Sequence, residues 1–134
     1  MEITKIPVPT HPTPARGDLS VVNSKEIPFE VKRVFWITRM PLLARRGGHA
    51  HLEGHQFLIV PHGSIQVVSM GPGGVKNKFN LARPEEALYV PPLHWLEITN
   101  TNAKTALLVL ASNEYSEKDY IRDFDSFKTL AGAV

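Results

Sequence analysis

The chain has no cysteine, which excludes disulfides, thiolate nucleophiles and cysteine-held metals together. It has no apolar run approaching the roughly 20 residues that span a bilayer. Its first residues, with Glu2, Pro7, Pro9 and Pro12, lack the apolar core of a signal peptide. The expectation is a soluble, cytoplasmic protein. Charge of one sign is also missing. Fifteen Lys and Arg stand against thirteen Asp and Glu, a net +2, and no block of like charge marks a nucleic-acid or membrane partner. A mild basic group, Arg39, Arg45 and Arg46, suits a phosphorylated small molecule, because guanidinium groups pair with phosphate oxygens in a bidentate way.

Long helical periods are scarce. Eleven prolines and nine glycines lie between short apolar runs, the composition of many short strands joined by turns. A length of 134 residues with 43% hydrophobic content fits one domain over residues 1–134 around a single core. Residues 1–20, holding four prolines among the first fourteen positions, read as an extended arm or frayed strand that packs on a partner subunit.

From Phe29 to Ile37 the apolar residues alternate with period two, which predicts a strand. His49 to His51 and Gln56 to Val60 resume extended patterning. Ser64 to Met70 is another alternating run, and Gly71-Pro72-Gly73-Gly74 is a hairpin signal that returns Val75 to Leu81 antiparallel. Ala87 to Val90, His94 to Ile98 and Thr105 to Ala111 supply three further strands. About eight strands this closely spaced predict a double-sheet jelly roll. In the tail, Ser116 with Asp119 has the spacing of a capping pair, and Tyr120, Ile121, Phe124 and Phe127 follow at helical intervals, so a short C-terminal helix is predicted there. Asp119 and Arg122 are then a pair on that helix's surface, outside any site.

Five of the six histidines fall between residues 49 and 94, and three of them crowd Gly47-Gly48-His49-Ala50-His51-Leu52-Glu53-Gly54-His55-Gln56. On one strand, His49 and His51 share a face with Cα atoms about 7 Å apart. With an ordinary pKa near 6.5, two such imidazoles are acid and base catalysts in either protonation state. A His-X-His unit after Gly-Gly and before an apolar strand is also how a cupin barrel begins, and cupins often hold a metal there. The rest of that ligand set fits poorly. His55 and Gln56 stand where the usual glutamate would be, and Leu96, after Pro91-Pro92, stands in place of a further histidine. His94, two residues from Leu96, is a conceivable substitute ligand, so a metal-dependent cupin is the alternative to metal-free proton chemistry.

Arg46-Gly47-Gly48-His49-Ala50-His51 followed by Gln56, together with the tail from Leu110 to Phe127, resembles the dTDP-4-keto-6-deoxyglucose 3,4-ketoisomerase family of the cupin superfamily, over residues 29 to 128. The resemblance implies an all-β cupin jelly roll, a double-sheet β-barrel with a short C-terminal helix. It implies an isomerase that needs neither cofactor nor metal and moves a carbonyl from C4 to C3 of a dTDP-4-keto-6-deoxyhexose through an enediol. It implies His49 as base and His51 as relay, with the reverse open, and Arg46, Gln56, Trp95 and Trp36 as substrate-binding residues. It further implies a homodimer, and a setting in deoxyamino-sugar biosynthesis for surface polysaccharide (lipopolysaccharide O-antigen) or antibiotics. The pattern also departs from the family. Phe35 and Trp36 occupy a strand that commonly carries tyrosines, one of which reaches the sugar, and Leu52 replaces a common lysine. A non-catalytic sugar-binding cupin is the third reading.

Overall fold

The computed structural model describes residues 2–134, and within them strands dominate as two stacked five-stranded antiparallel sheets. The first runs β1 (Thr4–Pro7), β9 (Glu86–Val90), β6 (Gln56–His62), β11 (Ala106–Ala111), β4 (Arg33–Ile37). The second runs β12 (Tyr120–Ile121), β5 (Arg45–His51), β10 (Trp95–Asn100), β7 (Ile65–Met70), β8 (Lys76–Leu81). Apart from the β7–β8 hairpin, the pairings within these two sheets join strands that are not consecutive in the chain, as in a jelly roll.

Side-chain alternation explains how the layers meet. In β7, Ile65 and Val67 point between the sheets and are fully buried, whereas Val68 faces out. The central strand β6 is buried on both faces over Gln56 to Val60. Its Leu58 and Val60 enter the core between the sheets with Val67, Leu88, Ile98 and Val109. Its Phe57 and Ile59 enter a second cluster on the outer side, which Ile6, Val8, Val22, Ile27 and Phe29 cover. In the N-terminal segment β1 pairs with β9, and β2 (Thr10–Thr13) and β3 (Gly17–Ser20) form a hairpin.

The tail differs from the prediction. The helix α1 covers Phe124–Leu130, starting later than the Ser116 cap implied, and its N-terminus is closed by the Asp123 side chain, which accepts from the Ser126 amide at 2.9 Å. Residues Glu117–Asp119 form a single 3-10 turn and Tyr120–Ile121 pair with β5. Pairing with a strand edge satisfies backbone groups of Tyr120 and Ile121 that a helix would otherwise have used, so tertiary context overrides the local period. Behind this edge, α1 packs its buried Phe127 against Ala50, Trp95 and Ile121.

Candidate active site

A cavity of about 350 Å³ opens between the sheets, lined by Arg45, Arg46, Gly47, His49, Leu96 and Ile98 from β5 and β10, by Phe35, Ile37, Gln56, Leu58, Leu107 and Val109 from the facing sheet, and by Tyr120 and Arg122. Gln56 and His49 thus meet the same space from opposite sheets.

The glycine pair sets up β5. Arg46 pairs opposite Ile98 and His49 opposite Leu96, with the register slipping by one residue between them. This bulge inserts an extra residue, so Arg46 and His49, three apart in sequence, both face the cavity, where uninterrupted alternation would have opposed them. Gly47 and Gly48 carry φ of 91° and 72°, the left-handed region that glycine enters without penalty. A Cβ on Gly47 would also sit 2.7 Å from the Leu96 carbonyl oxygen. Glycine is therefore required there on both counts.

His49 and His51 stand edge to face with ring centroids 5.3 Å apart. The His49 Nδ1 lies 3.2 Å from the Gly47 carbonyl oxygen, so it donates there and leaves Nε2 as the lone-pair nitrogen. His51 is buried, and its Nδ1 lies 2.9 Å from Asp119 Oδ2. That carboxylate is itself held by the Glu53 amide, which donates to Oδ1 at 2.8 Å. An imidazole that donates from Nδ1 to a carboxylate is fixed in one tautomer, and the buried His51 Nε2 has no hydrogen-bond partner among the described residues. Room for this pair is kept by Gly54, where a Cβ would approach Asp119 Oδ2 to 2.6 Å and the His51 Nδ1 to 3.4 Å.

Burial is the largest influence on both rings. It lowers the pKa of His49 to about 4, assisted by the neighbouring His51 and by Arg122 and opposed by the bond to Gly47 and by Glu117. It lowers that of His51 as well, against the pull of Asp119. Both imidazoles are therefore neutral at pH 7 and able to accept a proton.

Tyr120 covers the two histidines, with ring centroids 4.8 Å from His49 and 4.5 Å from His51. The Arg122 guanidinium lies over the Tyr120 ring at 4.5 Å and is gripped by Glu117 through Nε at 2.6 Å and Nη2 at 3.0 Å. Tyr115 donates to the same carboxylate at 2.6 Å. The Arg122 guanidinium beside it holds the Glu117 carboxyl down at about 2. Arg45 and Arg46 make no ion pair with the described residues, which leaves two guanidinium groups at the cavity for an anionic ligand.

Of the residues singled out in the sequence, His49, Arg46 and Gln56 line this cavity, Gln56 buried at the start of β6, and His51 stands against His49 just behind the lining. Trp36 and Trp95 do not. Trp36 lies opposite Leu108 on the outer face of the first sheet and is 68% exposed. Its neighbour Phe35 takes the inward position, and alternation forbids both from doing so. Trp95 likewise yields the inward place to Leu96 and packs outside against Phe124 at 5.1 Å and Phe127 at 5.7 Å. His94, weighed as a substitute metal ligand, lies outside the cavity, with its Nδ1 2.9 Å from the Pro92 carbonyl oxygen, and no trio of His, Cys, Asp or Glu among the described residues is arranged to hold a metal ion. His55 pairs with the Tyr89 hydroxyl at 2.7 Å on the far side of β6.

Sequence reasoning missed Asp119, Tyr120 and Arg122. Asp119 and Arg122 do not pair on a helix. Asp119 backs His51, and Arg122 follows β12 and bonds Glu117. The signal available was the acidic and aromatic density of the tail motif, which only the β12–β5 pairing brings to the histidines.

Comparison with known proteins fits this arrangement. The family model described as FdtA: WxcM-like, C-terminal, matches residues 1–132. The chain is 37% identical over 121 residues, 90% of its own length and 86% of the relative's, to a TDP-4-oxo-6-deoxy-alpha-D-glucose-3,4-oxoisomerase of Aneurinibacillus thermoaerophilus. A crystal structure of a 3,4-ketoisomerase from Helicobacter canadensis is similar with a TM-score of 0.90 at 36% identity, covering 98% of each chain. So is that of a His→Asn mutant of the 3,4-ketoisomerase QdtA from Thermoanaerobacterium thermosaccharolyticum in complex with TDP-4-keto-6-deoxyglucose, with a TM-score of 0.90, 34% identity, and 96% and 93% of the two chains covered. This chain belongs to the FdtA, WxcM-like C-terminal family.

Proposed function

We propose that the protein is a sugar-nucleotide 3,4-ketoisomerase acting on TDP-4-keto-6-deoxyglucose. The observation that carries this reading is the pair of neutral imidazoles, His49 and His51, set 5.3 Å apart at a cavity whose arginines Arg45 and Arg46 are unpaired. A single proton acceptor would serve epimerisation as well, whereas moving a carbonyl between adjacent carbons requires proton handling at both carbon and oxygen.

In the reading, the diphosphate lies against Arg45 and Arg46 and the hexose lies between His49 and the apolar sheet. His49 Nε2 takes the proton from C3, the C3–H electron pair becomes the C3–C4 double bond, and O4 carries the enediolate charge. His51 takes the O3 proton and delivers it to O4, and the O3 electron pair forms the C3 carbonyl. The C3–C4 double-bond pair takes a proton at C4 from protonated His49, which returns to its neutral form after its proton has exchanged with solvent. Electrons and protons balance without an oxidant. The carboxylate of Asp119 stabilises His51 while it is transiently charged, and Gln56 orients the sugar. The apolar wall excludes water, which strengthens each of these interactions.

The active form is proposed to be a homodimer formed through the outer face of the first sheet, where Val34 and Trp36 are exposed and a groove of about 540 Å³ runs over Val8, Val22, Ile59, Leu108 and Leu110. Sedimentation at micromolar concentration distinguishes a dimer from a monomer.

Incubation of the purified protein with TDP-4-keto-6-deoxyglucose, followed by proton NMR, tests the activity. Appearance of the 3-keto isomer supports the reading. Retention of the 4-keto sugar alongside tight binding reassigns the site to binding without catalysis.

A further inference from the structure

The cavity offers many groups that accept or relay protons and few neutral donors for an enediolate oxygen. Arg45 and Arg46 are taken up by the diphosphate in the reading above, and Arg122 is gripped by Glu117. Among the described residues lining the cavity, Tyr120 carries the one hydroxyl. Phe35 holds the inward position of β4, so no phenol reaches the cavity from that side.

Tyr120 is placed by structure rather than by chance packing. β12 pairs it directly opposite His51, which puts its side chain on the same face of the sheet. Its ring touches both histidines, and its hydroxyl makes no hydrogen bond with any other described residue, although the neighbouring Tyr115 hydroxyl is committed to Glu117 at 2.6 Å. The Arg122 cation over the ring at 4.5 Å stabilises the partial negative charge that builds on a phenol as its hydroxyl donates a hydrogen bond. Glu117 holds that cation in place with two hydrogen bonds. Tyr115, Glu117, Arg122 and Tyr120 thus form one chain of contacts ending at the histidines.

We propose that Tyr120 is a catalytic residue whose phenolic hydroxyl donates a hydrogen bond to the enediolate oxygen of the substrate. The inference rests on the ketoisomerase reading. The hydroxyl keeps its proton through the cycle, so no net transfer from Tyr120 is needed, and the donor acts where water has been excluded and such bonds are strongest.

The test compares Tyr120→Phe and Tyr120→Ala with the wild-type chain on TDP-4-keto-6-deoxyglucose, with calorimetric titration of TDP as a binding control. Phenylalanine keeps the ring against His49, His51 and Arg122 and removes only the hydroxyl. The expected result is a fall in kcat of about a hundredfold for Tyr120→Phe, the usual cost of one lost donor to a developing oxyanion, with KM and TDP affinity changed by no more than about threefold. A Tyr120→Phe variant with wild-type kcat overturns the proposal, and loss only in Tyr120→Ala does so equally, since it assigns the ring a packing role. If the wild-type chain itself leaves the sugar unchanged while binding TDP, the ketoisomerase reading falls and this inference with it.

Discussion

The two walls of the cavity divide the work between them. The sheet of β1, β9, β6, β11 and β4 presents Phe35, Ile37, Leu58, Leu107 and Val109, with Gln56 as its polar member. The opposite wall, from β5 and the segment around β12, presents His49, Arg45, Arg46, Tyr120 and Arg122, with His51 and Asp119 behind. One wall removes water and the other supplies titratable groups, and the first tunes the second: burial is the main cause of the low His49 pKa. The lesson is that burial is the largest influence on both imidazoles: it lowers His49 with help from His51 and Arg122, and lowers His51 against the pull of the adjacent Asp119.

The comparison is broken most severely from the reactive wall. His49→Asn and His51→Asn should each lower kcat by about a thousandfold, the range of general acid–base catalysis, with TDP affinity retained; steady-state kinetics and calorimetry check both. Asp119→Asn is expected to lower kcat some tens of fold while the fold persists, because His51 would lose the charged acceptor of its Nδ1–H. Gly54→Ala should act in the same direction by displacing the carboxylate from its place 2.9 Å from His51. A Gly54→Ala chain with normal kcat would show that the carboxylate is dispensable.

The pH dependence sharpens the link between the walls. With its folded pKa lowered from 6.5 to about 4, His49 stays neutral down to that range, so the acid limb of the kcat/KM profile should fall near pH 4 to 5 and not near 6.5. The same shift affects stability. Below about 6.5 the unfolded chain binds a proton at His49 that the folded chain does not, so this contribution is fully present above 6.5 and is lost as pH falls toward 4. Its size is reduced by the partial solvent access of the ring. Thermal melts across pH 4 to 7 read the direction.

Changes to the apolar wall should cost stability before chemistry. Leu58→Ala and Leu107→Ala remove side chains about 1% exposed and should destabilise by about 2–5 kcal/mol, seen as a lowered Tm, with kcat reduced only as water enters the cavity. The smallest effect is expected at Trp95→Phe, which keeps the packing on Phe124 and Phe127 outside the sheet and should leave kcat within about twofold of wild type.

The strands and the histidine pair were legible in the sequence because their signals are local. Period two predicts the runs that became β7, β8, β9, β10 and β11, and a spacing of two places His49 and His51 together. The tryptophans could have been placed by the same rule, since an inward Phe35 or Leu96 puts Trp36 or Trp95 outward. Other features depend on contacts made far along the chain. Asp119 lies 68 residues from His51, and nothing near either reveals the pairing that joins them. Tyr120, Ile121, Phe124 and Phe127 have a helical period, yet the free edge of β5 takes the first two as a strand and leaves the helix only the others. The bulge that brings Arg46 onto the face of His49 was present as Gly47-Gly48, but its effect on register appears only against the partner strand β10.

The most direct test of the central claim is to follow TDP-4-keto-6-deoxyglucose by proton NMR in deuterated water with the wild-type chain and with His49→Asn. The account expects the wild-type chain to yield the 3-keto sugar with deuterium at C4, and the variant to bind the substrate while leaving both its carbonyl position and its C3 proton unchanged. Conversion by His49→Asn at the wild-type rate would contradict the account.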